Sequence, residues 1–169
     1  MSPLFLKTDA IAKNQDTSIF LLQTIKRPGI ESLLDYMLES DYFTAPASTR
    51  FHNSFPGGLC LHSLNLVYAF NDANKQLLNP LPLDSVVICG LLHDWCKVNA
   101  YSGTDTGYES IKGIKSHATV SLSRIGEHIQ LTPEEDDIIR FHMGLFGIFT
   151  YREHDTLSMH RAIMRTPQV

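Results

Sequence analysis

The sequence predicts an all-α fold, a single compact helical domain. Apolar residues recur at helical spacing through most of the chain, Pro- and Gly-rich breakers fall between those runs, and no convincing strand pair stands out. With 169 residues and 43% hydrophobic content, the chain can build one domain with a true core.

The first dozen or so residues show no clear period, so 1–16 is expected as a loosely attached arm and 17–169 as the helical domain. Ile19, Leu22 and Ile25 have helical spacing, and Pro28-Gly29 interrupts them. Ile30, Leu33, Leu34, Met37 and Leu38 form a second stripe. The stretch 40–55 is irregular and ends in the breaker Pro56-Gly57-Gly58. A helix is expected from Leu59 to Leu78, stopped by Asn79-Pro80-Leu81-Pro82. From Asp84 to about Lys97 the chain is apolar almost all round, which marks a helix in the middle of the core. A buried strand is the rival there, and length favours the helix. Residues 99–113 are rich in Gly, Ser, Thr and Asp and are expected as a loop, a candidate lid carrying Tyr101, Tyr108 and Lys112, with Lys115 just beyond. Helix resumes near Ser116, which can cap it. Thr132-Pro133-Glu134-Glu135 is a well-formed helix start, with a capping box from Thr132 to Glu135. A loop over 144–150 and a last helix over 157–164 complete the expectation.

Charged residues make up 19% of the chain and the net charge is −4, with a pI near 6.0. A protein that wraps duplex nucleic acid shows a basic excess, so duplex binding is excluded from the expectation. A small phosphorylated substrate or a short single strand remains compatible, because a local positive patch or a metal can hold it. Cys60, Cys89 and Cys96 are odd in number, form no C-x-x-C pair and lie in apolar surroundings. They read as reduced core thiols of a cytoplasmic protein. No segment is long and apolar enough to span a bilayer, and the N-terminus does not look like a signal peptide. A homo-oligomer is compatible with all of this.

Chemistry concentrates on the histidines. His93-Asp94 ends the most apolar helix, where a carboxylate beside an imidazole is costly without compensation. A metal supplies that compensation; on the dipeptide alone, a hydrogen-bonded carboxylate next to a satisfied core histidine reads equally well. His62 projects from the apolar face it shares with Leu66, Ala69 and Ala73, which tips the balance toward metal. His117 opens a helix and His142 closes one, and helix ends can meet around one pocket. Imidazole and carboxylate together suit a divalent transition metal (Mn, Fe, Co, Ni or Zn), with Mg allowed and one or two ions expected.

The runs Gly57-Gly58-Leu59-Cys60-Leu61-His62 and Gly90-Leu91-Leu92-His93-Asp94-Trp95-Cys96-Lys97, followed by Ser116-His117-Ala118 and Phe141-His142-Met143, resemble the HD-domain metal-dependent phosphohydrolases. The narrower pattern, including His93-Asp94-x-x-Lys97-x-x-x-Tyr101, is similar to their 3'-5' exoribonuclease branch. The resemblance implies an HD-domain/phosphodiesterase-like helical fold. It also implies hydrolysis of a phosphomonoester or phosphodiester, in a nucleotide or short oligonucleotide, by metal-activated water. It implies that His62, His93 and Asp94 hold one ion and that Asp94 bridges to a second held by His117 and His142. Lys97 is then expected to meet a phosphate oxygen, with a solvated residue complementing the helix dipole as its rival reading. His52 is expected to reach the phosphate or move a proton, and Tyr101 to stack on a base. A polar loop histidine reads about as well for His52. His128, His154 and His160 show no usable pattern and are expected at the surface or at caps.

One position departs from the family. The expected late aspartate is matched by Ile163, and Asp155 is the only other late candidate. This departure motivates an alternative: a catalytically weak or silent domain that binds metal and nucleotide as a sensor or interaction module. A purely structural helical domain is the third reading.

Overall fold

The computed structural model describes residues 3–111 and 116–142. Among these, six α-helices and one two-stranded hairpin make a mostly helical fold. The helices are α1 (Pro3–Gln23), α2 (Ile30–Glu39), α3 (Gly58–Asn74), α4 (Leu83–Leu92), α5 (His117–Ile125) and α6 (Pro133–Phe141). The hairpin pairs β1 (Tyr101–Thr104) with β2 (Gly107–Ser110), and a short 3-10 turn spans Trp95–Lys97. The expected elements over 144–150 and 157–164 lie outside the described residues, as do Lys112, Lys115, His154, Asp155, His160 and Ile163.

The core forms around α4, whose residues from Ser85 to Leu92 are all buried. Helix α3 lies along it and buries Leu59, Leu64, Leu66, Val67 and Phe70. Helix α2 adds Ile30, Leu33 and Met37, an i, i+3, i+7 stripe that matches its apolar pattern. Each fully buried Leu, Ile or Phe of this kind contributes about 1.5–3 kcal/mol of apolar transfer. Tyr42 closes one side; its hydroxyl donates to the Leu91 carbonyl at 2.9 Å, and its ring sits 5.5 Å from that of Trp95.

Two glycines let backbones approach closely. A Cβ on Gly90 would lie 2.5 Å from Val67 Cγ2 and 2.9 Å from its Cα, so α3 and α4 touch backbone to backbone. A Cβ on Gly58 would fall 2.0 Å from the Asn53 carbonyl oxygen, so the loop before α3 lies against the start of that helix. These two contacts bring His62, His93 and His52 together.

The structure corrects several expectations. The boundary placed at 16/17 falls inside α1, which is helical from Pro3. That stretch hides little, since residues 8–10, 12 and 13 are exposed, so no apolar period marks it. The expected loop over 99–113 contains an antiparallel hairpin, with Tyr101 opposite Ser110 and Thr104 opposite Gly107. Its strands are mostly exposed on both faces, so the alternation that betrays a half-buried strand is missing. Helix α4 ends at Leu92, short of the expected Lys97, and α3 ends at Asn74, short of Leu78. Ser116 precedes α5 in the left-handed region, φ 57°, and its side chain makes no capping hydrogen bond. The capping box of Thr132 and Glu135 is present in both directions, as the sequence predicts.

Candidate metal centre

Asp94 lies just past α4 with φ −101° and ψ 26°, and only 4% of it is exposed. Its Oδ2 accepts from Lys97 Nζ at 2.7 Å and sits 3.2 Å from His93 Nε2 and 3.5 Å from His62 Nε2. His62 Nε2 and His93 Nε2 are 3.2 Å apart. These three atoms therefore form a triangle 3.2–3.5 Å on a side. Ligands about 2.0–2.2 Å from one ion stand roughly 2.9–3.5 Å apart, depending on geometry, so the triangle has the size of one coordination face.

The other carboxylate oxygen looks elsewhere. Asp94 Oδ1 faces His142 Nε2 at 3.6 Å, too far for a hydrogen bond. Both atoms are buried, and neither has a hydrogen-bond partner among the described residues. Orphaned buried polar atoms are costly, and two acceptor atoms left facing each other in this way suit a cation between them.

Two rings are oriented by backbone carbonyls. His93 Nδ1 lies 3.0 Å from the Gly90 carbonyl and His142 Nδ1 lies 2.6 Å from that of Ile139. A carbonyl only accepts, so Nδ1 carries the proton and Nε2 presents its lone pair, the arrangement that prepares a metal-binding imidazole.

Electrostatics agree with a ligand set. Burial, reinforced by the neighbouring His93, pushes the His62 imidazole down to about 3, so it stays neutral. Burial opposes ionisation of Asp94, but His93 and Lys97 outweigh it and hold the carboxyl well below its ordinary range. Burial alone would lower Lys97, yet the Asp94 charge and hydrogen bond raise it, so the ammonium persists. Burial also lowers His52 and His117.

A second group shares Asp94. One ligand atom each from Asp94, Cys96 and His117 lie within 4.8 Å of one another, with Cys96 Sγ 3.7 Å from His117 Nδ1. Burial and then the Asp94 charge raise the Cys96 thiol to about 11. The sequence predicts a reduced core thiol at Cys96, and the residue is free and buried, at 1% exposed.

The predicted residues thus converge in part. His62, His93 and His142 form one ring-to-ring chain, with centroids 5.1 Å apart from His62 to His93 and 5.1 Å from His93 to His142, and Asp94 faces all three. His52 extends it, 5.0 Å from His62. His117 meets Asp94 on the Cys96 side. Lys97 is 8% exposed and paired, so the rival reading of a solvated helix-end lysine is wrong. Tyr101 is partly buried at the start of β1, where burial raises its hydroxyl and the Lys97 charge opposes that. His128 is not at this site; it bonds Ser32 Oγ at 3.0 Å and packs on Tyr36.

Fold and site together define a mostly helical protein with a buried His/Asp cluster able to hold a metal ion. The chain is 31% identical to the 3'-5' exoribonuclease YhaM of Bacillus subtilis over 143 residues, which cover 78% of this chain and 44% of that protein. It therefore spans less than half the length of that curated relative. No family model matches the chain, and no solved structure matches it. No helix among the described residues is long and apolar enough to cross a membrane.

Proposed function

We propose that this chain is an HD-type, metal-dependent phosphohydrolase that cleaves a phosphoester in a nucleotide or a short single-stranded oligonucleotide. The observation that carries the reading is the triangle of His62 Nε2, His93 Nε2 and Asp94 Oδ2 beside the orphaned Asp94 Oδ1 and His142 Nε2. The similarity to an exoribonuclease supports a nucleic acid as the substrate class.

In this reading His62, His93 and Asp94 hold one divalent ion, and Asp94 reaches toward a second position bordered by His117 and His142. A divalent ion held there would supply charge neutralisation for a phosphoryl group and acidify an attacking water. The chain's own residues do the rest. Asp94 stays ionised and supplies the negative charge that draws cations into an otherwise apolar core. Lys97, kept protonated by Asp94, offers a positive charge to a phosphoryl oxygen at the cluster. His52, whose imidazole pKa is lowered by burial, lies beside His62 and would accept or return a proton. Tyr101 sits at the rim, where its ring can stack on a base.

The test is hydrolysis of short single-stranded RNAs and a nucleotide panel by the purified chain with Mn, Co, Ni, Zn or Mg. Release of mononucleotide or phosphate is expected, lost in Asp94→Ala. Undiminished hydrolysis by Asp94→Ala would sink the reading.

One observation favours a second reading, a silent domain that binds nucleotide as a sensor. The Lys97 ammonium already sits 2.7 Å from Asp94 and supplies part of the compensation that a cation would. Calorimetric nucleotide binding with no product released under any divalent metal would select it.

A further inference from the structure

We propose that Cys96 is a metal ligand, so that Asp94, Cys96 and His117 form a thiolate-containing half of the centre that selects a thiophilic ion such as zinc. This rests on the reading that the pocket holds metal.

The geometry is that of a site under construction. Zinc takes sulfur at about 2.3 Å and imidazole nitrogen at about 2.0–2.1 Å, so a tetrahedral pair of such ligands stands about 3.6 Å apart. Cys96 Sγ and His117 Nδ1 are 3.7 Å apart. A right-angled, octahedral pair would stand only about 3.1 Å apart by the same bond lengths. The Asp94 oxygen completes three ligand atoms within 4.8 Å of one another, a span that small side-chain shifts close.

The backbone holds the sulfur in place. The Cys96 amide donates to Ser121 Oγ on α5 at 3.0 Å, which ties the 3-10 turn to the helix that carries His117. Arg124 Nη1 reaches the carbonyls of Trp95, Cys96 and Val98, at 3.5, 3.4 and 3.0 Å. The turn and α5 are therefore one rigid unit, with the thiol on its inner side and 1% of the residue exposed. The other two cysteines differ. Cys60 Sγ contacts Ser18 Oγ at 3.3 Å and Cys89 Sγ points to the Glu135 carbonyl at 4.0 Å, and neither belongs to a ligand group among the described residues. The soft sulfur distinguishes the two halves of the centre: imidazoles and a carboxylate on one side tolerate Mn or Mg, whereas thiolate disfavours both. As the metal–sulfur bond forms, the thiol proton leaves to solvent.

The test loads the full chain with Co(II) alone and records its absorption. A near-ultraviolet thiolate-to-cobalt band is expected together with the visible ligand-field bands. Cys96→Ser should lose the near-ultraviolet band, keep the visible bands and weaken retention of a second equivalent of zinc by about tenfold or more, at least the lower end of the range for disturbing a metal's surroundings. Cys60→Ala and Cys89→Ala should keep both features. Zinc-edge X-ray absorption of the unmutated chain, which depends on no variant folding, should show a sulfur neighbour at about 2.3 Å. Visible bands without a sulfur signature would overturn the proposal and leave the metal reading standing. No cobalt uptake at all would overturn both.

Discussion

Two buried carboxylates in this molecule have opposite surroundings. Glu135, 0% exposed, has its bonding capacity used: Arg27 clamps it with bonds of 2.6 and 2.8 Å, and the Thr132 amide adds a third at 2.9 Å. Asp94, also buried, has Lys97 at one oxygen and at the other an imidazole nitrogen that it does not reach. Glu135 joins the segment after α1 to the start of α6 and satisfies the helix cap. Asp94 gathers four imidazoles, a thiol and an ammonium from four parts of the chain. A buried charge whose partners are complete is structural; one whose partners are assembled and left open is a candidate site.

The sharpest way to break this contrast is to remove each carboxylate. Asp94→Ala should abolish turnover and reduce metal retention by more than the roughly 100-fold typical of disturbing a ligand's supporting shell, read by elemental analysis after dialysis against a chelator. Glu135→Ala should leave metal retained per folded molecule unchanged and cost about 3 kcal/mol in urea unfolding, since it strands Arg27 and the Thr132 amide. Equal losses of metal in both variants would erase the distinction.

Gly90→Ala tests the close approach that sets His62 against His93. A methyl 2.5 Å from Val67 forces α3 and α4 apart, with an expected cost of about 1–3 kcal/mol and weaker metal binding from the spread triangle. Unchanged metal affinity would show that the helix contact does not set the triangle.

Acid should expose the difference between the ligands and the structural pair. The folded His62 value of about 3 lies below the ordinary 6.5, so over that interval the unfolded chain takes up a proton that the folded chain refuses. Metal-free stability should therefore fall as pH drops from about 6.5 toward 3, and His62→Gln should flatten that slope. Glu135 acts at lower pH. Burial raises its carboxyl, but Arg27 and its other bonds outweigh that and lower it, so its contribution is present above the ordinary carboxylate range and lost as pH falls through the folded value. The urea midpoint measured against pH in the two variants separates the effects. The smallest change is Thr132→Ala, which removes one side of the capping box and should cost about 1 kcal/mol with no effect at the metal centre.

Much of the site was legible because its signals are local and chemical. Histidines on apolar faces or at helix ends, and an aspartate at the end of an all-apolar helix, are anomalies that a sequence displays directly. The capping box was legible for the same reason: its two hydrogen bonds are made within four residues. The stretch 8–13 of α1 and the hairpin after Ala100 were not, because periodicity reports burial and both lie largely exposed. Lys97 was left open because a side chain several residues past the end of a helix has no face until the turn that carries it is known.

By itself the sequence determined the helical class, the central place of α4 and the identity of the ligand-type residues, since hydrophobic period and residue chemistry are written along the chain. Only the tertiary structure decided that Lys97 is buried against Asp94, that Asp94 Oδ1 is left open toward His142, and that Cys96 stands beside His117. Those facts depend on how the 3-10 turn after α4 meets α5 and α6, and contacts between segments twenty or more residues apart leave no period for a sequence to show.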